Sequence, residues 1–203
     1  MHSETMLTKI DSSLLAQAFP AEYHNPATRA GDAVWRHLTS AQWTERLEFQ
    51  VQGQAVLIPA RLRFASPNPG LDPNDDAWPF AAALRTCSLD GFERQWAARQ
   101  LLGEIQPWFA PFVVKLLGEY VIEILDDIAA ALTPENIKVL AHFIAQNQEC
   151  WATTKRRIAS YWNAYYRARR SGQPSTFRRA YLRPDYVGFR ISDALEASAR
   201  GVS

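Results

Sequence analysis

The sequence has 203 residues, of which 47% are hydrophobic and 21% are charged, and its formal net charge is +1. This composition excludes a globally disordered chain, because it offers seven tryptophans and enough apolar side chains to bury a core. The length fits one domain of ordinary size. We therefore expect a single domain over residues 1–203, with loose ends at 1–10 and 196–203.

The charges are balanced in total but separated along the chain. Residues 1–150 carry eleven basic and eighteen acidic side chains, a net charge of −7, whereas residues 151–190 carry ten basic side chains and one acid, a net charge of +9. Such a separation attracts anions to the basic segment. The anion is a nucleic acid, the acidic face of a partner protein, or the acidic part of this chain itself.

The first part of the sequence predicts two helices. Helical spacing of apolar residues from Asp11 to Phe19 predicts a short helix. Asn25 and Pro26 form an N-cap and first-turn pair, which predicts a second helix that runs to Leu38.

A β-hairpin is predicted next. Apolar and polar residues alternate over 47–52 and again over 56–64, with Gly53 between the two runs. Glycine supplies the positive φ of a tight turn, and Pro59 indicates an edge strand or a bulge because it has no amide hydrogen. The prolines and acids of residues 66–76 then predict an exposed loop.

The remaining sequence predicts helices. Residues 77–86 and 91–102 form a pair of short helices, and two long helices over 111–132 and 134–170 form an antiparallel hairpin. A short helix is expected around 191–197. The predicted fold class is therefore mainly α with a small β-hairpin, a single-domain helical bundle built around the long antiparallel helix pair.

Neither a membrane span nor a disulfide is expected. The longest apolar stretch, residues 108–132, contains five charged side chains at helical spacing, so it predicts a core helix rather than a membrane span. Cys87 and Cys150 are far apart in sequence, and the N-terminus lacks a basic and apolar leader. Both observations favour a cytoplasmic protein with free thiols.

One acidic stripe is a candidate for metal binding or acid–base catalysis. Glu119, Glu123 and Asp126 share one side of the helix predicted at 111–132, beside Asp127, and His142 lies on the helix that follows. Bundle-type metal sites use a Glu-x-x-His pair, which this sequence does not contain. The stripe is equally compatible with a solvated face, so no catalytic residue, metal site or cofactor is predicted.

The basic segment supplies the leading candidate site. Arg156, Arg167 and Arg170 line one side of the second long helix, and arginines alternate with aromatic residues beyond it. Arginine among aromatics is typical of single-stranded nucleic-acid surfaces and also of protein interfaces. The candidate anion-binding or partner-binding residues are Arg156, Arg167, Arg170, Arg178, Arg179, Tyr181 and Arg183.

Aromatic side chains crowd the same helix. These aromatic residues are Tyr161, Trp162, Tyr165 and Tyr166. They lie on more than one face of the helix, so some of them are exposed unless another element covers them. The expected cover is the C-terminal segment, through Tyr181, Tyr186 and Phe189. The alternative is that exposed rings form an interface hot spot.

Three functions are compatible with these features. The first is a non-enzymatic, cytoplasmic protein-interaction domain, adaptor-like or inhibitor-like, whose basic surface binds an acidic protein partner. The second is a nucleic-acid-binding protein that uses the same surface, and the third is an enzyme or metal protein built on the acidic stripe. A homo-oligomer is compatible with each of them.

Overall fold

The structure, a computed structural model, describes residues 7–39, 42–66, 70–167 and 181–201. Within these ranges the chain forms nine α-helices and four short β-strands, which confirms the predicted mainly α fold with a small β-hairpin. The chain divides into two compact units, Met1–Phe112 (unit 1) and Val113–Ser203 (unit 2). The single-domain organisation stays a prediction.

The described part of unit 1 contains β1 (Thr8–Lys9), α1 (Ser12–Ala16), α2 (His24–His37), β2 (Trp43–Thr44), β3 (Arg46–Val51), β4 (Gln54–Pro59), α3 (Trp78–Arg85) and α4 (Gly91–Arg99). β1 pairs with β2 in one antiparallel sheet, and β3 pairs with β4 in another. The described residues of the loop predicted at 66–76 are largely exposed.

β3 and β4 form the predicted hairpin. Its turn consists of Gln52 and Gly53, whose φ angles of 51° and 79° both lie in the left-handed region. Two consecutive positive φ angles match the turn to the twist of the strands. Pro59 is the last residue of β4, where its missing amide hydrogen disturbs the ladder least. Phe49 and Val56 pair across the hairpin and are both buried.

The structure corrects the predicted start of α2. The cap residue is Tyr23 and the helix begins at His24, so Asn25 is inside the helix rather than at its cap. Pro26 lies in the first turn, where amide hydrogens have no partner within the helix, so proline does not interrupt it. Helix α1 has the start that the sequence predicts, since Asp11 accepts a hydrogen bond from its first turn.

The core of unit 1 contains an aromatic cluster. The ring centroid of Phe19 lies 5.0 Å from that of Phe80, edge to face, and 5.6 Å from that of the stacked Phe112. Trp108 stacks on Phe80 with the centroids 4.5 Å apart. All four side chains are buried, and rings of this size bury more apolar surface than any other side chain.

Helix α5 (Ala110–Leu117) crosses the boundary between the units. Unit 2 continues with α6 (Ile122–Ala130), α7 (Pro134–Gln146), α8 (Gln148–Tyr161), a π-helical turn (Trp162–Tyr166), a 3-10 turn (Arg183–Asp185) and α9 (Val187–Arg200). Helix α9 extends beyond both ends of the short helix predicted around 191–197. Helix α7 begins as predicted, because Thr133 caps it and Pro134 occupies its first position.

The helix predicted over 111–132 is interrupted. It is divided between α5 and α6, because Val121 has an extended backbone with φ −82° and ψ 103°. Helix α6 therefore starts afresh at Ile122. The apolar pattern continues through the interruption, which is why the sequence predicts one helix.

The helix predicted over 134–170 is also interrupted. Asn147, with φ −124° and ψ 54°, separates α7 from α8. Its side-chain amide donates to Phe143 O at 2.9 Å, a carbonyl at the end of α7. Helix α8 then passes into the π-helical turn, and residues 168–170 lie outside the described ranges.

Helix α9 is the central element of unit 2. It contacts α6, α7 and α8, and it buries Ile191 and Leu195. Gly188 of α9 lies against α8, because a Cβ atom there would lie 2.9 Å from Ile158 Cγ2. A glycine at this position lets the two helices pack closely.

The two cysteines are not joined to each other, and the described helices are too short or too polar to span a membrane. Cys87 is buried and Cys150 is half-buried, and both are free thiols, as predicted. In the described part of the chain, no helix has the length and apolar character that crossing a bilayer requires.

We expect Gly31→Ala to destabilise unit 1. Gly31 lies in α2, and a Cβ atom there would lie only 2.6 Å from the backbone oxygen of Ser12 in α1, so the backbone itself must move. Overpacking of this kind lowers the free energy of unfolding by about 1–3 kcal/mol, against a gain in helix propensity of about 1 kcal/mol. Chemical denaturation followed by tryptophan fluorescence measures the difference.

The control for this substitution is Gly103→Ala, because nothing lies within 4 Å of a Cβ atom at that position. The free energy of unfolding of this variant should equal or slightly exceed that of the unmodified chain. If both variants were as stable as the unmodified chain, the close packing of α1 on α2 would be contradicted.

Candidate partner-binding surface

Four of the seven predicted site residues belong to the described part of unit 2: Arg156, Arg167, Tyr181 and Arg183. The three arginines among them are exposed, and the tyrosine is half-buried. The other three lie outside the described ranges: Arg170, Arg178 and Arg179.

Aromatic residues of the C-terminal segment cover the tyrosine at the end of the π-helical turn, as predicted. Tyr186 stacks on Tyr166 with the ring centroids 5.5 Å apart, and Tyr181 lies edge-on to both. Tyr166 and Tyr186 are only 4% and 0% exposed. Burial raises the pKa of both phenols, because a phenolate would lose its solvation there. The hydroxyl of Tyr166 donates to Tyr120 O at 2.6 Å.

Hydrogen bonds join the end of the π-helical turn to the start of the C-terminal segment. The backbone N–H of Tyr181 donates to Tyr166 O at 2.7 Å, and Tyr181 forms an isolated parallel bridge with Arg167. The indole Nε1 of Trp162 donates to Tyr181 O at 3.2 Å. Tyr181 is therefore held by the backbone as well as by its ring.

Two of the predicted arginines lie over adjoining aromatic rings. The guanidinium carbon of Arg167 is 5.6 Å from the ring centroid of Trp162, and that of Arg183 is 4.6 Å from the ring centroid of Phe189. The two rings meet edge to face, with their centroids 5.6 Å apart. A guanidinium is attracted to the negative face of such a ring. Arg167 and Arg183 thus form an arginine pair on one aromatic support.

Arg156 is separate from the arginine pair. Its Nη2 donates to Thr153 Oγ1 at 2.8 Å on α8, whereas Nη1 of Arg167 donates to Asn163 Oδ1 at 3.0 Å. Within the described residues, no hydrogen bond or ring contact joins Arg156 to either member of the pair. The structure therefore brings Arg167, Tyr181 and Arg183 together and leaves Arg156 elsewhere on the unit.

Most of the described basic side chains of residues 151–190 are not paired with an acid among the described residues. Lys155 Nζ pairs with Glu196 at 2.5 Å, and this hydrogen bond, with a second one from Trp151, lowers the pKa of Glu196. Within the described ranges, no ion pair is formed by five exposed arginines, namely Arg156, Arg157, Arg167, Arg183 and Arg190.

The acidic stripe is divided between the interior and the surface. Glu119 is buried, Asp127 is half-buried, and Glu123 and Asp126 are exposed on α6, while His142 is exposed on α7. Among the residues that the structure describes, no group of three or more His, Cys, Asp and Glu side chains could hold a metal ion. The enzyme and metal alternatives stay hypotheses.

The sequence does not reveal the rings under the arginine pair. Trp162 precedes Arg167 by five residues, a spacing that separates side chains on an α-helix, and Arg183 precedes Phe189 by six. The first contact depends on the π-helical turn and the second on the 3-10 turn. The one signal in the sequence is the alternation of arginine with aromatic residues.

The two stacked tyrosines should respond differently to loss of the hydroxyl. Tyr166→Phe removes the bond to Tyr120 O and should lower the free energy of unfolding by about 1 kcal/mol at neutral pH. Tyr186→Phe should leave it unchanged or raise it, because the buried Tyr186 hydroxyl has no hydrogen-bond partner among the described residues. Urea denaturation of the two variants measures both values, and equal destabilisation would contradict this assignment.

The same tyrosines predict a loss of stability at alkaline pH. Because the folded-state pKa of each phenol is raised above the ordinary value of 10.0, its contribution is complete below that pH and is lost as the pH rises through the folded-state pKa. The free energy of unfolding should therefore fall above pH 10, and less steeply in Tyr186→Phe. Denaturation curves at several alkaline pH values give the slope, and an identical slope in this variant would contradict the prediction.

Comparison with known proteins adds no residue roles to this geometry. No protein-family model matches the chain, and no curated protein or solved structure shows significant similarity to it.

Proposed function

We propose that this chain is a non-enzymatic interaction protein, adaptor-like or inhibitor-like, that binds an acidic partner protein in the cytoplasm through its basic surface. The observation that carries the proposal is the arginine pair, in which Arg167 and Arg183 lie over adjoining rings. Neither arginine forms an ion pair within the described residues, so both are available to an external anion.

The position of both guanidinium groups over rings suits the pair for recognising carboxylates. A guanidinium that lies over a ring uses its face for that contact and keeps the N–H groups at its edge for a bidentate carboxylate. The hydrogen bond from Arg167 to Asn163 and the ring contacts restrict both side chains before binding. Less side-chain entropy is then lost when a partner binds.

Charge alone does not make a tight interface. An exposed ion pair contributes only about 0–1 kcal/mol, so affinity requires apolar contacts that exclude water. Unit 2 offers such groups, since Leu182 is 62% exposed beside Arg183, and Tyr120 is 47% exposed where its ring meets those of Tyr161 and Tyr165. Arginine with tyrosine is the composition of interface hot spots.

The alternative ligand, a nucleic acid, uses the same arginines for its phosphates. Single-stranded nucleic acids also need exposed rings on which bases stack. Tyr166 and Tyr186 are buried against each other, so these two rings are closed to bases. Base stacking would therefore depend on Tyr120, Tyr161 and Tyr165, the same accessible rings that a protein partner would contact.

The test uses fluorescence anisotropy with a labelled acidic peptide in which glutamate and aspartate alternate with tyrosine. Arg167→Glu combined with Arg183→Glu should weaken its binding by about tenfold or more, because two attractive contacts become repulsive. A peptide with glutamine and asparagine in place of the acids should not bind. Circular dichroism checks that the variant is folded.

The matched control is Arg36→Glu combined with Lys138→Glu. Both side chains are exposed, lie outside residues 151–190, and give the same change in net charge. The control should bind the peptide as the unmodified chain does. An equal loss in both double variants would contradict a defined site and indicate general attraction between charges. Preferential binding of a thymidine oligonucleotide, with a steep loss of affinity in salt, would support the nucleic-acid alternative instead.

A further inference from the structure

A second exposed surface lies in unit 1, at the start of α4. Three large apolar side chains are exposed there: Leu89 at 50%, Phe92 at 85% and Trp96 at 40%. Phe92 and Trp96 are four residues apart on α4 and therefore share one side of the helix. Exposed apolar side chains scattered singly are ordinary, whereas a contiguous group marks an interaction site.

The same side chains border an open groove with a volume of about 660 Å³. The segment Arg63–Ser66, which includes Phe64, also lines this groove. The ring of Phe92 and the groove are thus a protrusion and a recess on one surface.

Contacts of one buried arginine join residues that line the groove. Arg85 is fully buried; it forms an ion pair with Glu93, donates to Ser66 O at 3.0 Å and lies 4.4 Å from the ring centroid of Phe64. Glu93 also accepts a hydrogen bond from Ser88 Oγ at 2.6 Å. These contacts fix the start of α4 against the segment that contains Phe64 and Ser66, so the recess does not need to be formed on binding.

The rim of the groove carries charges of both signs. Arg63 and Asp90 both line it and both are exposed. Because both signs of charge lie on one surface, a two-fold axis through it can place Arg63 of one copy against Asp90 of the other and the ring of Phe92 of each copy at the other's groove. The formal net charge of +1 also leaves little electrostatic repulsion between copies.

We propose that this surface is a two-fold interface between two copies of the chain, in which Phe92 of each copy enters the groove of the other and Arg63 faces Asp90. The occupant is a second copy because one surface supplies both the protrusion and the recess, and both signs of charge. This inference concerns unit 1 and does not depend on the proposed function of the basic surface in unit 2.

Sedimentation equilibrium of the full chain tests the interface. The unmodified chain should form dimers within the range from about 1 µM to about 1 mM, in which weak and moderate dimers dissociate. Phe92→Ser should weaken dimerisation by about tenfold or more, because a central aromatic anchor is lost. Since Phe92 is 85% exposed, the variant keeps its fold. The matched control, Trp43→Ser, removes another aromatic residue that is 63% exposed in unit 1 and should dimerise normally.

A charge cycle tests the orientation of the two copies. Arg63→Asp should weaken the dimer through repulsion from Asp90, and the loss should be smaller in the double variant with Asp90→Asn. Asparagine replaces aspartate equally well as the cap of α4, so the helix is preserved. A monomeric unmodified chain, a dimer that Phe92→Ser leaves intact, or equal losses with and without Asp90→Asn would each overturn the proposed interface.

Discussion

The stacking of Tyr186 on Tyr166 is the contact on which the arrangement of unit 2 depends. Tyr166 ends the π-helical turn and Tyr186 immediately precedes α9, so one pair of buried rings joins the two described parts of unit 2. Once Tyr186 is held, α9 is placed where Ile191 and Leu195 enter the core. The members of the arginine pair are close in sequence to these tyrosines and take their positions from them. The charged surface is therefore a consequence of aromatic packing.

Part of the fold is predictable because some residues determine structure locally. Gly53 and the alternation around it predict the hairpin, and Thr133 with Pro134 predicts the start of α7. The interruptions at Val121 and Asn147 are not predictable in this way, because apolar residues keep helical spacing on both sides of them. An apolar pattern indicates which residues are buried, but it does not indicate whether they belong to one continuous helix or to two.

The candidate surface can also be predicted only in part from the sequence. Counting charges identifies Arg167 and Arg183, since the excess of basic side chains in residues 151–190 is a property of the sequence alone. Their partners, Trp162 and Phe189, depend on turns whose geometry the surrounding structure fixes. The exposed face of α4 is hidden from the sequence for a related reason. The helix itself is predictable, but which of its aromatic residues remain outside the core depends on how α3 packs against it.

The π-helical turn also brings Arg167 to the ring of Trp162. Such a turn accommodates one residue more than an α-helical turn of the same height. If the turn became α-helical at unchanged length, Arg167, five residues after Trp162, would lie about 140° away from it around the helix axis and would leave its ring. Deleting one residue between Trp162 and Tyr166 would instead give the spacing of four residues at which side chains of an α-helix meet. A related chain that is one residue shorter at this turn could therefore keep the arginine over the ring on an ordinary α-helix, so an alignment gap there would not by itself indicate loss of the pair.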